Sequence, residues 1–398
     1  MNTPQRAAPS ALPSPDAAAA EHSAALTAHV ARAIDEAGGW LPFSRYMELA
    51  LYAPGLGYYS AGAQKFGEGG DFVTAPELTP LFGQCLATQV GEVLDALGGG
   101  DLVEFGPGSG RLAADLLLAL EALYALPQRV LLVEISAELR ARQRATLTQR
   151  CPQLLKRVRW LNGPPDADVR GVVLGNEVLD ALPVECFEID GDAVLARGVA
   201  WHAGRPVWRS RPADAALVAA VRAVEETLGR RLPHGYRGEV RPGVGAWLAT
   251  VTARLAAGSA LFIDYGLAAD ELYLPERRDG TLACHYRHRF HTDPFHLPGL
   301  TDITAWVDFT AVADAAVAAG LTVAGYATQA HFLLGCQLDV HAQRAMQAAP
   351  TPAAQLAVAN AVKQLTLPGE MGERFKVLGL TRNLAQPLAG FAVRQLGL

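Results

Sequence analysis

The sequence predicts an α/β fold, a doubly wound and mostly parallel sheet of Rossmann-like type, with an N-terminal helical segment and inserted segments. Three observations carry this expectation. From Asp101 onward, short apolar runs alternate with amphipathic helical stretches, the pattern of a parallel sheet covered on both faces. One of those runs, residues 102–105, passes into the glycine-rich turn Gly106-Pro-Gly-Ser-Gly110 and then directly into a helix. At 398 residues the chain exceeds what a single core usually fills, so one enlarged domain with insertions is expected.

In chain order, residues 1–20 are rich in Ala, Pro and Ser and read as a flexible tail outside the fold. Residues 21–100 form an N-terminal helical or lid segment. Helical periodicity runs over 22–36 and stops at Gly38-Gly39, and a second helix over 43–51 ends before Pro54. The stretches Pro54-Gly-Leu-Gly-Tyr-Tyr59 and Gly67-Glu-Gly-Gly-Asp71 carry too much glycine for a core and are expected to present backbone to a ligand or partner. The main domain spans 101–398. Its strands are expected at 102–105, 130–135, 158–161, 172–174 and 260–264, with helices at 112–123, 137–149 and 245–255 between them. Insertions lie at about 184–240, where apolar pieces such as 194–201 suggest hairpins, and at about 267–308. From Phe309 the tail alternates helix with a last hairpin, and no internal repeat is evident.

Composition narrows the function classes. A net charge of −6 supplies no diffuse basic field, which disfavours a nucleic-acid partner. No apolar stretch reaches the ~18–20 residues of a membrane span, and the N-terminus has no signal-peptide pattern. The five cysteines are odd in number and form no C-x-x-C pair, so they read as reduced thiols. A bacterial cytoplasmic location is the expectation, and a homodimer stays open.

The turn Glu104-Phe-Gly106-Pro-Gly108-Ser-Gly110 follows E-x-G-x-G-x-G. A dinucleotide fingerprint would need its third glycine at position 111, which is Arg111. Three alternating glycines let backbone lie against a ligand, and such a turn suits the methionine portion and ribose of S-adenosyl-L-methionine. Glu134, at the end of the second strand, can accept both ribose hydroxyls of an adenosine. The alternative reading of Glu104 and Glu134 is exposed strand-end charge.

These residues resemble the family of class I methyltransferases that includes bacterial MidA-like proteins and the mitochondrial complex I assembly arginine methyltransferase. The resemblance runs from about Ile34 to Leu398 and rests on blocks in a common order. They are Gly70-Asp-Phe-Val-Thr-Ala-Pro-Glu77 with Leu81-Phe-Gly83, the Glu104–Gly110 turn, Asn176-Glu-Val-Leu-Asp-Ala-Leu-Pro-Val184, Glu239-Val-Arg-Pro242, Ile263-Asp-Tyr-Gly266, Asp302-Ile-Thr-Ala-Trp-Val-Asp-Phe309 and Gly369-Glu-Met-Gly-Glu-Arg-Phe-Lys376. The resemblance implies a seven-stranded methyltransferase sheet and symmetric dimethylation of an arginine in a respiratory complex I type subunit. The turn departs from the family's G-P-G-R-G-T by carrying Ser109 and Arg111.

An arginine acceptor is cationic at any accessible pH and needs carboxylates to hold its fork. Asn176, Glu177 and Asp180 follow the fourth strand, on the carboxyl edge where open α/β sheets bind ligands. Glu177 is the first choice for the guanidinium carboxylate, against a helix-start charge facing water. Asn176 would orient the acceptor or cap a helix, and Asp180 would assist or serve the structure. Gly70, Asp71 and Thr74 are candidates for the amino-acid end of the cofactor, and Asp264 at the end of the fifth strand for the cofactor as well.

The run from Cys284 to His296 places His285, His288, His291 and His296 within twelve residues. Without helical period or a carboxylate partner, it reads as a lid or acceptor-binding loop in which Tyr286 could stack on an arginine, and no metal is expected. Two other functions compete with the methyltransferase. A nicotinamide-dependent oxidoreductase is disfavoured by Arg111. An adenosylmethionine-binding assembly chaperone would draw on the large insertions as a protein-binding surface.

Overall fold

A glycine-led crossover pattern of this kind places its ligand-binding ends on one edge of a sheet, and a computed structural model, which describes residues 12–60 and 74–398, shows that edge. The chain divides into two units. One comprises Thr74–Asp180, Gly243–Leu272 and Trp306–Leu398, and the other Met1–Val73, Ala181–Pro242 and Tyr273–Ala305.

The first unit is built on β1 (Asp101–Phe105), β2 (Val130–Val133), β3 (Val158–Leu161), β4 (Val169–Asn176), β5 (Leu255–Leu267), β6 (Thr322–Thr328) and β7 (Phe375–Arg382). They lie in the order β3-β2-β1-β4-β5-β7-β6, and the two-residue strand Val307–Asp308 pairs with the end of β5. Neighbours from β3 to β5 are parallel, while β7 runs antiparallel to both β5 and β6. This is the Rossmann-like class I methyltransferase arrangement, and its central strands are apolar because helices cover both faces. β1 and β2 are buried along their whole length.

The helix Pro80–Ala96 packs on Arg111–Ala122 in the core of this unit. The sequence reading assigns it no boundaries. It is buried on most of its circumference, so it lacks the polar face that makes helical period visible. β6 and β7 are the strands expected as a last hairpin. They do pair antiparallel, but Gln329–Gly335, Leu338–Ala348 and Pro352–Thr366 intervene as helices, so no tight turn joins them.

In the second unit, the N-terminal helices Ala17–Glu36 and Phe43–Tyr52 share a core with both insertions, including Leu26, Phe43, Tyr46, Val184, Cys284 and Ile303. The segments expected as separate additions therefore form one body. Its larger sheet orders Trp40–Leu41, Ala193–His202, Glu185–Asp190 and Arg237–Val240, with Arg205–Pro212 pairing outside Ala193–His202. The expected hairpin at 194–201 is present, turning through Ala203 and Gly204 at φ of 47° and 80°. The first helix starts at Ala17, capped by the Asp16 side chain, inside the stretch read as a tail. Its alanines resemble low complexity in composition but are the strongest helix formers. All five thiols are buried and outside disulfides. Among the described residues no helix is long and apolar enough to cross a membrane.

Candidate active site

The carboxyl ends of β1, β2, β4 and β5 bring the glycine turn, Glu134, Asn176–Asp180 and Asp264 to one edge of the first unit's sheet. After Phe105 the backbone turns through Gly106, Gly108 and Gly110, all at positive φ (64°, 51° and 80°). A Cβ at Gly106 would stand 2.8 Å from Val178, and one at Gly110 would stand 3.0 Å from the Gln143 Cα, so both positions exclude larger residues. The turn's carbonyls are tethered from the helix Ala137–Arg150: Gln143 Nε2 donates to Gly108 at 3.0 Å and Thr146 Oγ1 to Ser109 at 2.8 Å. The Ser109 hydroxyl donates to Glu77, and Arg111 reaches toward Asp115 at 3.8 Å. These are the local uses of the two side chains that depart from the family's turn.

Glu104 is 2 % exposed, and its Oε2 has no hydrogen-bond partner among the described residues. Burial pushes its pKa up to about 8. Glu134 is 8 % exposed, which together with Glu104 removes the reading of both as exposed strand-end charge. Its Oε1 accepts from the Ser136 N–H at 2.8 Å and its Oε2 from Gln143 at 3.2 Å. Burial raises its pKa, opposed by those donors and the Arg140 guanidinium. Arg140 donates to the carbonyls of Glu134 and Leu161 and so pins the ends of β2 and β3 together.

Because each carboxylate oxygen can accept two hydrogen bonds, Glu134 keeps capacity for a ribose diol. The next residue, Ile135, is 72 % exposed and places an apolar side chain at the surface beside Glu134. An orphaned buried carboxyl oxygen, an open glycine turn and a strand-end carboxylate with spare acceptor capacity fit S-adenosylmethionine.

Beyond β4 the chain makes a turn and no helix, so neither a helix cap for Asn176 nor a helix-start charge for Glu177 applies. Glu177 takes φ of 53°, an uncommon conformation for a non-glycine residue, and is half-buried. Its N–H donates to the Ile263 carbonyl at 2.8 Å, and Asn176 Nδ2 donates to its Oε1 at 3.1 Å. Asn176 Oδ1 is buried without a partner among the described residues.

The sequence reading gives Asp264 to the cofactor, but the fold gives it another task. It is fully buried, its Oδ2 accepts from the N–H groups of Leu179 (2.8 Å) and Asp180 (3.1 Å), and its Oδ1 accepts from Tyr265 N–H (2.9 Å). It braces the turn that carries Glu177 and leaves no surface for a ligand. Burial, then Asp180 and Glu177, push its pKa well above the ordinary carboxylate value.

Thr74 opens the short helix Ala75–Leu78. Gly70 and Asp71 lie outside the described residues. The histidine-rich run forms a small sheet in the second unit, with Arg289–His291, Ala283–Tyr286 and Asp302–Thr304 in that order. Tyr286 is a buried strand residue with the Arg287 guanidinium 5.4 Å from its ring centroid, which corrects the reading of it as an open stacking face for a substrate. His291 and His296 lie 5.3 Å apart between ring centroids, and among the described residues no group of three metal-ligating side chains converges.

Sequence reasoning misses Gln143 and Arg140. The signal for Gln143 was available: it is spaced i,i+4 from Leu147, and these two are the buried residues of their helix.

Comparison with known proteins identifies the family. Residues 85–327, more than half of the chain, match the family model described as "Putative S-adenosyl-L-methionine-dependent methyltransferase". A crystal structure of a Burkholderia thailandensis protein bound to S-adenosyl-homocysteine is 46% identical, with a TM-score of 0.90, over 97% of this chain and 99% of that one. The native form of a protein from the same organism superposes with a TM-score of 0.88 at 46% identity, over the same shares of the two chains. The Danio rerio protein arginine methyltransferase NDUFAF7 is 29% identical over 89% of each chain, and its Rattus norvegicus counterpart is 28% identical over 86% of this chain and 81% of that one. The chain belongs to this MidA- and NDUFAF7-like family of class I S-adenosyl-L-methionine-dependent methyltransferases, and S-adenosylmethionine is its cofactor.

Proposed function

We propose that the chain methylates an arginine side chain of another protein, with Glu177 holding the guanidinium. A respiratory complex I type subunit is the acceptor, and symmetric dimethylation the product, that the family resemblance points to. The observation that carries this reading is the turn after β4: a backbone conformation uncommon for glutamate presents Glu177 at the sheet's carboxyl edge, and buried Asp264 holds that turn. The names of the NDUFAF7 relatives supply arginine as the acceptor class.

Bound S-adenosylmethionine supplies an electrophilic methyl group on a sulfonium. Glu104, the glycine turn, Glu134 and Thr74, with Gly70 and Asp71, hold that cofactor in this reading. Glu177 pairs with the guanidinium fork and favours charge on the nitrogens it binds, leaving the remaining nitrogen with more lone-pair character. Asn176 fixes the Glu177 carboxylate through its amide, and Asp180 adds negative potential next to it. Positioning of this kind is worth up to ~7–11 kcal/mol in the barrier.

The test separates acceptor from cofactor. Intact-mass comparison of a host proteome with and without the protein identifies the methylated arginine peptide. On that acceptor, Glu177→Gln is expected to lose about 2–5 kcal/mol of transition-state stabilisation. Its S-adenosylhomocysteine affinity should stay near wild type. Methylation at the wild-type rate by the variant would reject Glu177, and parallel loss of cofactor affinity would move it into the cofactor pocket. Methyl mass appearing only on residues other than arginine would reject the acceptor class.

A further inference from the structure

Gln143 is fully buried in a helix whose only other buried residue is Leu147, and its amide makes three hydrogen bonds to three other segments. Nε2 donates to the Gly108 carbonyl at 3.0 Å and to Glu134 Oε2 at 3.2 Å, while Oε1 accepts from the Trp160 indole N–H at 3.0 Å. An indole N–H can only donate, so it fixes which end of the amide faces it. The Nε2 end must then face the glycine turn and the carboxylate, both of which can only accept there. The Trp160 ring is itself held under the Arg144 guanidinium at 4.3 Å.

We propose that Gln143 is a positioning residue of the cofactor site: its amide locks the Gly108 carbonyl and the Glu134 carboxylate together, and so fixes the direction in which Glu134 offers its remaining acceptor sites to the ribose. Without the amide, Glu134 Oε2 loses its side-chain donor from this helix, and the carboxylate is held by the backbone N–H groups of Ser136 and Ile135 without the tie to the Gly108 carbonyl. An unfixed carboxylate must be ordered on binding, which weakens affinity without removing any atom that touches the ligand. The inference rests on the assignment of Glu134 to the ribose.

Isothermal titration with S-adenosylhomocysteine on the full-length protein tests both, with folding checked by circular dichroism and thermal melting. Glu134→Ala should weaken binding by roughly ten- to a hundredfold, as expected for a lost charged hydrogen-bond pair. Gln143→Met, which keeps the length and removes the amide, should weaken it about tenfold.

Gln143→Glu places a second carboxylate against Glu134, where Arg140 is the guanidinium acting on it among the described residues and Arg144 stands beyond the indole. Its affinity relative to wild type should fall as pH rises and recover as pH falls, as a proton comes to be shared between the two carboxylates. A role confined to stability would lower the melting temperature and leave these ratios flat.

If Glu134→Ala binds within twofold of wild type, the ribose assignment fails and the positioning role with it. If Glu134→Ala loses affinity while folded Gln143→Met does not, only the positioning role fails. Should Gln143→Met not fold, a pH-independent ratio for Gln143→Glu overturns the proposal by itself.

Discussion

Glu104 carries one carboxyl oxygen without a partner among the described residues, and burial moves its pKa from 4.5 to about 8. Between those values the folded state keeps a proton that the unfolded state has released. Stability of the cofactor-free protein from this group is therefore full below the lower value, falls as pH rises through the window, and levels off above the upper one. Glu104→Gln removes this dependence. Melting temperatures of both proteins between about pH 5 and 8 should show the variant losing less stability than wild type as pH rises. Parallel curves would mean that Glu104 is ionised throughout in the fold. At single residues, sequence shows position: Glu104 and Glu134 were expected where apolar strands end, and both are buried there. Asp264 follows the same pattern, but sequence order does not show that backbone N–H groups of Leu179 and Asp180 close over it.

At the scale of elements, the strand–glycine–helix unit was legible because its chemistry is local: three residues at positive φ between an apolar strand and a helix leave few other structures. What fixes that unit was not local. The carbonyls of Gly108 and Ser109 are held by Gln143 and Thr146, more than thirty residues further along the chain. The same reason hid the turn after β4, whose form depends on β5. Gly110→Ala tests the tether, since its Cβ would sit 3.0 Å from the Gln143 Cα at a φ of 80°. The strained αL backbone alone costs about 1–2 kcal/mol, and displacement of Gln143 adds a loss of S-adenosylhomocysteine affinity. Unchanged affinity in the folded variant, measured by titration, would show that the helix can retreat without disturbing Glu134.

At the scale of the whole molecule, the described site candidates fall in one of the two units. The described candidates for the cofactor, Thr74, Glu104, the glycine turn and Glu134, belong to the sheet-bearing unit, as do Asn176, Glu177 and Asp180. The other unit is assembled from three stretches of chain, one N-terminal and two inserted, so sequence reading could find its pieces but not that they share a core. Phe187 is fully buried there and stacks on Tyr236 at 6.2 Å between centroids. Truncating it to alanine leaves a cavity in that unit, and Phe187→Ala should cost about 3–5 kcal/mol of stability. If cofactor binding resides in the sheet-bearing unit, the folded variant should bind S-adenosylhomocysteine with wild-type affinity at a temperature below its lowered melting point. The bound ligand should then raise the melting temperature of the sheet-bearing unit, and the damaged unit should melt first as a separate transition in calorimetry. A single transition at a lower temperature, with affinity reduced in step, would instead mean that the two units fold and bind as one thermodynamic body, since ligand then stabilises residues that it does not touch.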